Sequence, residues 1–226
     1  MQHFVRGVCA LGHGLLRAAV SLDLEKLRSA PSCVRLLVTH GFRPFGIFTH
    51  LTVAERLVLF QLASRLPPQS VILEVGSYLG GSSTFLALGA RANDSTVYCV
   101  DTWTNQAMSE GLRDTYSTFL HNIRPVADRI VPVRGPSVEV AGTFHHGISM
   151  LFIDGDHSYD GVFSDVTSWW PKLRGGAIVA FHDYTCSEGV RRVVNELVRP
   201  NVLSDRVVDS LYFAQLRPCT RERWGC

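Results

Sequence analysis

The 226-residue chain lacks several features that would each point to a particular class of protein. Its 22 Lys and Arg against 20 Asp and Glu form no block of like charge, which argues against a nucleic-acid partner. Its six cysteines include no C-x-x-C pair, so we expect neither a zinc site nor a disulfide framework, but reduced thiols in a cytoplasmic protein. We find no internal repeat and no low-complexity segment.

Long apolar runs are also missing. The N-terminal segment MQHFVRGVCALGHGLLRAAVSL is mildly hydrophobic, but His13 and Arg17 interrupt it before about 18 apolar residues accumulate. We therefore predict no membrane span and no targeting signal. We expect residues 1–50 to form an N-terminal helical extension that packs on the body, over the active site or on a second copy of the chain in a homo-oligomer.

Residues 51–226 have the pattern of one α/β domain. The spacing Thr52-Val-Ala-Glu55 predicts a capping box that opens a helix, which Pro67 and Pro68 end. Short apolar strands then alternate with helical stretches, as in a parallel sheet covered on both faces. The strands are expected at residues 71–75, 97–100, 130–133, 149–154 and 176–181, and the last of them follows a loop at Arg174-Gly175-Gly176.

The end of the chain departs from this alternation. Two strand-like runs, residues 202–208 and 211–216, are separated only by Asp209 and Ser210. Two residues are too few for a parallel crossover, so these strands are expected to pair as an antiparallel hairpin. The chain is thus predicted to form a doubly wound, mostly parallel seven-stranded sheet with a reversed C-terminal strand.

A glycine-rich turn follows the first predicted strand. It has the spacing G-x-x-x-G-G from Gly76 to Gly81, and not the G-x-G-x-x-G that binds a pyrophosphate, which argues against NAD. Asp101 ends the next strand, where a carboxylate can accept hydrogen bonds from both hydroxyls of a ribose, and Trp103 can cover an adenine. A nucleoside ligand without a pyrophosphate fits both features. Taken alone, the glycines can also serve only a strand-to-helix turn.

These features recur in order with the segments FIDGDHSYDG, Arg174-Gly175-Gly176 and Phe181-His182-Asp183-Tyr184. Together they resemble a class I S-adenosylmethionine-dependent methyltransferase with a Rossmann-like fold. The narrower resemblance is to the group of macrocin-type and rhamnosyl sugar O-methyltransferases and the cephalosporin hydroxylase-associated methyltransferase. It implies that S-adenosylmethionine is bound by Glu74, Gly76, Ser77, Tyr78, Gly80, Gly81, Ser82, Asp101, Thr102, Trp103 and Ser137.

Acidic and histidine side chains end the fourth and fifth predicted strands. Asp154, His182 and Asp183 can therefore meet around one cation, and in the resembling sugar enzymes the matching positions hold magnesium. His182 departs from that group, which usually has a carboxylate there, and imidazole suits zinc, iron or nickel better than magnesium. Alternatively, the two aspartates cap helices or orient loops.

His157 lies three residues after Asp154 and is the candidate general base. O-methylation removes a proton from the attacking hydroxyl, and a histidine that titrates near neutral pH suits that task. With Asp154, it forms the predicted catalytic pair. We therefore predict a metal-assisted O-methyltransferase that acts on a hydroxyl of a small molecule, foremost a sugar of a glycosylated metabolite or glycolipid. The alternatives are a catechol-like phenol O-methyltransferase and a non-catalytic cofactor-binding scaffold or partner subunit.

Overall fold

The computed structural model describes residues 36, 38–39, 41, 43–104 and 111–218. Most of the predicted N-terminal extension, and with it the predicted association with a second copy, lies outside these residues. Cys99 is a buried free thiol and Cys186 an exposed one, and the other four cysteines lie outside the described ranges.

The strands form one seven-stranded sheet, as predicted. They are β1 (Val71–Val75), β2 (Thr96–Asp101), β3 (Ile130–Arg134), β4 (Ile148–Ile153), β5 (Leu173–Phe181), β6 (Val202–Val208) and β7 (Leu211–Leu216). Their spatial order is β3-β2-β1-β4-β5-β7-β6. Strands β1 to β5 are parallel, whereas β7 runs antiparallel to both β5 and β6. The prediction of a Rossmann-like sheet with a reversed C-terminal strand is confirmed.

The part of the chain described from residue 43 onward contains six α-helices that flank the sheet. They are α1 (Val53–Ser64), α2 (Gly81–Ala90), α3 (Tyr116–Ile123), α4 (Ser137–Thr143), α5 (Tyr159–Trp169) and α6 (Glu188–Val193), the last continued by a π-helical turn over Val194–Val198. The capping box of α1 is formed as predicted, because Thr52 and Glu55 exchange side chain-to-backbone hydrogen bonds. No helix in the described ranges combines the length and the apolarity needed to cross a membrane.

The core consists of two apolar layers, one on each face of the sheet. Alternate strand residues point to opposite faces, so Ile72 lies in the layer under α1, α2 and α3, while Leu73 lies in the layer under α4, α5 and α6. Trp169 is fully buried in the second layer and the adjacent Trp170 is half-buried, as their consecutive helical positions predict. Truncating a fully buried leucine such as Leu73 to alanine costs about 2–5 kcal/mol.

The start of β5 corrects one prediction. Arg174 and Gly175 were expected to lie in a loop before a strand that starts at Gly176, but they belong to the strand, which begins at Leu173. The strand is irregular there. Gly176 has φ = +79°, and the register with β4 shifts between Ile148 and Met150. Gly176 keeps its place beside the end of β7 through a hydrogen bond from its N–H to the carbonyl of Arg217.

Candidate active site

The glycine turn after β1 brings the backbones of β1 and β4 into close contact. Gly76 has φ = +84°, and its N–H donates to the carbonyl of Val100 at the end of β2. A Cβ atom at position 76 would lie 2.1 Å from the carbonyl oxygen of Asp154. Any side chain there would collide with backbone, so only glycine permits this approach.

The carboxylate of Asp101 is held at the end of β2 by the same turn. Its Oδ2 accepts hydrogen bonds from the N–H groups of Ser77 (2.9 Å) and Tyr78 (2.8 Å), and its Oδ1 accepts one from the N–H of Trp103 (2.6 Å). Carboxylate oxygens have further lone pairs, so these bonds fix the orientation of the group without using up its capacity to accept.

A cavity of about 640 Å³, which we call the first cavity, opens along the carboxyl ends of β1, β2 and β4. Seven of the predicted site residues line it: Gly76, Tyr78, Asp101, Thr102, Ser137, Asp154 and His157. The ligand-binding edge of an open parallel sheet is expected at this place. Ser137 stands at the first turn of α4, where its Oγ accepts a hydrogen bond from Nε1 of Trp169 (2.8 Å).

Trp103 does not take the predicted place against an adenine. Its φ of +50° turns the indole inward, where it is 1% exposed and packs on Tyr116 and Phe119 with ring centroids 4.8 and 4.7 Å apart. Its Nε1 donates to the carbonyl of Tyr78 (3.0 Å). Trp103 therefore supports the glycine turn from the core side and lines neither of the two cavities described here.

Glu74 also lies beneath the turn and not in either cavity. The residue is fully buried, and its Oε2 accepts hydrogen bonds from the hydroxyls of Ser77 and Ser83. Burial raises the pKa of Glu74, against the opposing effect of these serine hydrogen bonds. Gly80, another predicted cofactor residue, caps α2 with φ = +85° and packs on Ile123 and Phe119. Both residues shape the turn from below.

A second cavity of about 340 Å³ adjoins the first on the side of α1. One wall consists of the aromatic residues Phe48, His50 and Tyr78, with the rings of Phe48 and His50 5.3 Å apart and those of His50 and Tyr78 stacked at 6.4 Å. His157 and Asp183 also line this cavity. Sequence reasoning missed Phe48 and His50 because they precede α1 in a segment without a recognisable motif.

The two cavities share Gly76, Tyr78, Asp154, Gly155 and His157. Of the other predicted residues, Ser77, Gly81, Ser82 and Asp183 line only the second cavity. Gly81 allows the segment before α1 to pack closely against the start of α2, because a Cβ atom at this position would lie 2.6 Å from Cβ of Thr49.

Charged side chains meet at the boundary between the cavities. The ligand-type atoms of Asp154, His182 and Asp183 all lie within 4.8 Å of one another, as the strand ends predict. Nδ1 of His182 is 3.1 Å from Oδ1 of Asp154 and 3.3 Å from Oδ2 of Asp183. Nε2 of His157 is 3.1 Å from Oδ2 of Asp183 and 3.7 Å from Oδ1 of Asp154.

The carboxylates favour the charged form of both imidazoles. Burial lowers the pKa of His182, but hydrogen bonds to Asp154, Asp183 and Glu55 outweigh this effect and raise it to about 12. The nearby carboxylates of Asp154 and Asp183 raise the pKa of His157, against the opposing effect of burial. The hydrogen bond from His182 holds the pKa of Asp183 below its usual value.

Two further acids line the first cavity. Asp156 accepts hydrogen bonds from the N–H and hydroxyl of Ser158, whose Oγ in turn caps α5, so Asp156 stabilises the start of this helix. Asp165 was not predicted. It is 6% exposed on the inner face of α5, and burial raises its pKa to about 6. No motif marks it, because only the packing of α5 brings it to the cavity.

Comparison with known proteins agrees with this geometry. A family model described as a methyltransferase domain matches residues 73–184, from β1 to just beyond β5. The solved structure of the O-methyltransferase NovP is 18% identical, covers 75% of this chain and 82% of its own, and superposes with a TM-score of 0.63. The O-methyltransferase TomG from Streptomyces achromogenes, involved in tomaymycin synthesis and solved with S-adenosylmethionine, is 19% identical over 74% of this chain and 81% of its own (TM-score 0.57).

A curated relative is also similar. The uncharacterized protein R132 of Acanthamoeba polyphaga mimivirus is 25% identical over 130 residues, which is 56% of this chain. The match spans 58% of the length of that relative. Residues 73–184 thus match a methyltransferase domain, and the fold and the glycine turn around them are those of the class I S-adenosylmethionine-dependent methyltransferases.

Proposed function

We propose that the protein is an O-methyltransferase that transfers the methyl group of S-adenosylmethionine to a hydroxyl of a small molecule. The position of His157 carries this proposal. It lines both cavities at their junction and lies beside Asp154 and Asp183. A base at the junction is what a transfer between two bound molecules requires. The O-methyltransferases NovP and TomG, which share the fold, support it.

The cofactor is assigned to the first cavity. Asp101, oriented by the glycine turn, accepts the ribose hydroxyls, and Ser137 stands at the adenine edge. Gly76 lines both cavities, and because it has no side chain the backbone of the turn is open to the methionine part. When bound, S-adenosylmethionine supplies a methyl group on a positively charged sulfur.

The chain contributes proton removal and alignment. His157 takes the proton of the acceptor hydroxyl as the oxygen–carbon bond forms and the carbon–sulfur bond breaks, which leaves the methyl ether and S-adenosylhomocysteine. Asp154 and Asp183 hold the imidazole of His157 at the junction. Holding the oxygen in line with the methyl group lowers the barrier further by removing rotational and translational freedom.

The sequence resemblance implies a divalent cation, and the donor set is compatible with one. Asp154 and Asp183 offer oxygens, and His182 offers Nδ1 once a cation displaces its proton; the three atoms are close enough to bind one ion. Such an ion would favour the deprotonated form of a hydroxyl bound to it. Two carboxylates with an imidazole suit Mn²⁺, Fe²⁺ or Zn²⁺ better than Mg²⁺. We therefore include a divalent cation in the proposal: magnesium is the ion that the resemblance implies, and the donor set adds Mn²⁺, Fe²⁺ and Zn²⁺ as candidates.

The acceptor is assigned to the second cavity. Its aromatic wall, with Phe48 55% exposed, offers a face on which an apolar ring surface can pack. The carbon-bound hydrogens of a sugar ring and the ring of a phenol both meet that requirement. We propose a sugar hydroxyl of a glycosylated metabolite or glycolipid as the acceptor, with a catechol-like phenol as the alternative.

The test is a methyl-transfer assay by mass spectrometry, with sugar and catechol acceptors and each cation supplied singly. His157→Ala is expected to lower kcat about 10²- to 10⁴-fold while S-adenosylhomocysteine still binds, because only the base is lost. His145→Ala is the control, since His145 is an exposed histidine away from both cavities. Binding of S-adenosylhomocysteine without transfer to any acceptor would favour the non-catalytic scaffold.

A further inference from the structure

Glu55 has more contacts than its place in a capping box requires. The residue is 1% exposed. Its Oε2 accepts the N–H of Thr52 (2.7 Å), which completes the box. Its Oε1 accepts the N–H of Ser210 in the β6–β7 turn (2.7 Å), and its Oε2 also lies 3.5 Å from Nε2 of His182. The contact with His182 joins α1 to the group of Asp154, His182 and Asp183.

The contact between Glu55 and His182 matters because both side chains are buried. A carboxylate removed from water is costly unless hydrogen-bonded and paired with a cation or donor. His182, itself only 4% exposed, is the partner that faces Glu55 in the described part of the chain. A capping-box glutamate does not need such a partner, because its role at the helix start is met by the N–H of Thr52 alone.

The two nitrogens of an imidazole have linked roles, since the hydrogen bond at one fixes what the other can do. With Nε2 directed at Glu55, the ring of His182 presents Nδ1 to Asp154 (3.1 Å) and Asp183 (3.3 Å). A ring rotated by half a turn would direct Nδ1 away from the two aspartates.

We propose that Glu55 is a positioning residue that fixes the ring orientation of His182 and thereby shapes the cation-binding end of the acceptor cavity. This inference rests on the proposed function for its use in catalysis. It assigns no chemical step to Glu55, which contacts neither cavity directly. It also gives a reason for the contact between α1 and the β6–β7 turn, because Ser210 holds the second oxygen of the same carboxylate.

The experiment compares Glu55→Gln with Thr52→Val. Both substitutions disturb the capping box, but only the first changes the group that faces His182. The first readout is the pair of His182 ring-nitrogen signals in long-range ¹H–¹⁵N spectra of histidine-labelled protein, assigned with His182→Gln. The second is the affinity for Mn²⁺ and for Zn²⁺, each titrated alone by calorimetry in the presence of S-adenosylhomocysteine.

Glu55→Gln is expected to shift the His182 ring signals and to weaken cation binding about 10- to 100-fold, as loss of a carboxylate behind a ligating histidine does. Affinity for S-adenosylhomocysteine should stay unchanged. Thr52→Val is expected to lower the unfolding temperature without changing the ring signals or the cation affinity. The inference is overturned if Glu55→Gln leaves both readouts as in the parent protein, or if Thr52→Val reproduces the change in both.

The outcomes separate this inference from the proposed function. If the parent protein binds S-adenosylhomocysteine but neither cation, the proposed cation site is wrong, and the His182 ring signals alone decide the role of Glu55. If S-adenosylhomocysteine does not bind, the proposed function fails. A shift of the His182 signals confined to Glu55→Gln would even then support the positioning role.

Discussion

Asp165 illustrates how a single buried group sets a pH dependence of stability. Burial raises its pKa from an ordinary 3.8 to about 6. The native state therefore holds the proton more tightly than the unfolded state between these values, so the contribution of Asp165 to stability falls as pH rises from 4 to 6. Above pH 6 the native state contains an ionised carboxylate whose burial opposes folding.

Asp165→Asn removes this ionisation. Its effect on the free energy of unfolding is therefore expected to be more favourable at pH 8 than at pH 4 by about 1–3 kcal/mol, since each pKa unit corresponds to about 1.4 kcal/mol. Urea unfolding at both pH values measures the difference. Asp160→Asn, at an exposed position of the same helix, controls for loss of a negative charge. An equal effect of Asp165→Asn at the two pH values would show that the burial of this carboxyl does not govern its ionisation.

Gly76 gives a second prediction at the residue scale. Gly76→Ala places a methyl group 2.1 Å from the carbonyl oxygen of Asp154 and at φ = +84°, so the turn must move. We expect loss of S-adenosylhomocysteine binding and a destabilisation of more than about 2 kcal/mol, measured by calorimetry and thermal unfolding. Gly142→Ala in α4, where a Cβ atom meets open space, should instead leave binding intact. Unchanged binding in Gly76→Ala would contradict the assigned cofactor position.

At the scale of elements, the start of α6 holds the loop that carries His157. The hydroxyl of Ser187, the cap of α6, donates to the carbonyl oxygen of His157 (2.8 Å). Gly189 in the first turn of α6 lies so close to this loop that a Cβ atom would stand 2.5 Å from the same oxygen. Helix α6 therefore holds the loop that carries His157, the proposed base, through the hydrogen bond from Ser187 and the close approach that Gly189 permits.

Gly189→Ala is expected to displace the loop and lower kcat by about tenfold or more, because small errors in placing a general base are costly. The affinity for S-adenosylhomocysteine should change little, since Gly189 does not line the first cavity. The transfer assay and calorimetry give the two values. Gly142→Ala again serves as the matched control, and a parent-like kcat in Gly189→Ala would refute the role of α6.

The sequence predicted most elements because local signals determine them. The capping box of Thr52 and Glu55, the apolar strands and the two-residue turn at Asp209 and Ser210 all form as expected. The prediction failed at Arg174 and Gly175, which belong to β5 although its register with β4 is irregular there. It failed at Trp103 because a positive φ reverses the side chain, and nothing in the residue type of tryptophan indicates such a conformation.

For the whole molecule, the site lies at one edge of a sheet whose faces are both covered. Residues at the ends of β1, β2, β4 and β5 could be predicted from sequence, because parallel strands all end at this edge. Glu55, Phe48 and His50 could not, since they reach the site only when α1 and the segment before it pack on the completed sheet. The acceptor side is thus determined by tertiary packing far more than the cofactor side.

Cofactor binding should stabilise the whole fold. At 100 times its Kd, S-adenosylhomocysteine contributes about 2.7 kcal/mol, which corresponds to a rise in Tm of roughly 5–10 °C for a chain of this size. Asp101→Ala is expected to abolish this rise in a thermal shift assay. It also removes the acceptor for the N–H groups of Ser77 and Tyr78, so the variant's own Tm without ligand is the baseline. A full ligand-induced rise in Asp101→Ala would remove Asp101 from the cofactor site.

The five residues shared by the two cavities have a consequence for kinetics. Under the proposed function, a cofactor in the first cavity would form part of the wall of the second, and the acceptor would meet its full binding surface only after the cofactor is in place. Steady-state turnover should therefore follow an ordered sequential scheme in which the cofactor enters first and S-adenosylhomocysteine leaves last. S-adenosylhomocysteine would then inhibit competitively against S-adenosylmethionine and noncompetitively against the acceptor.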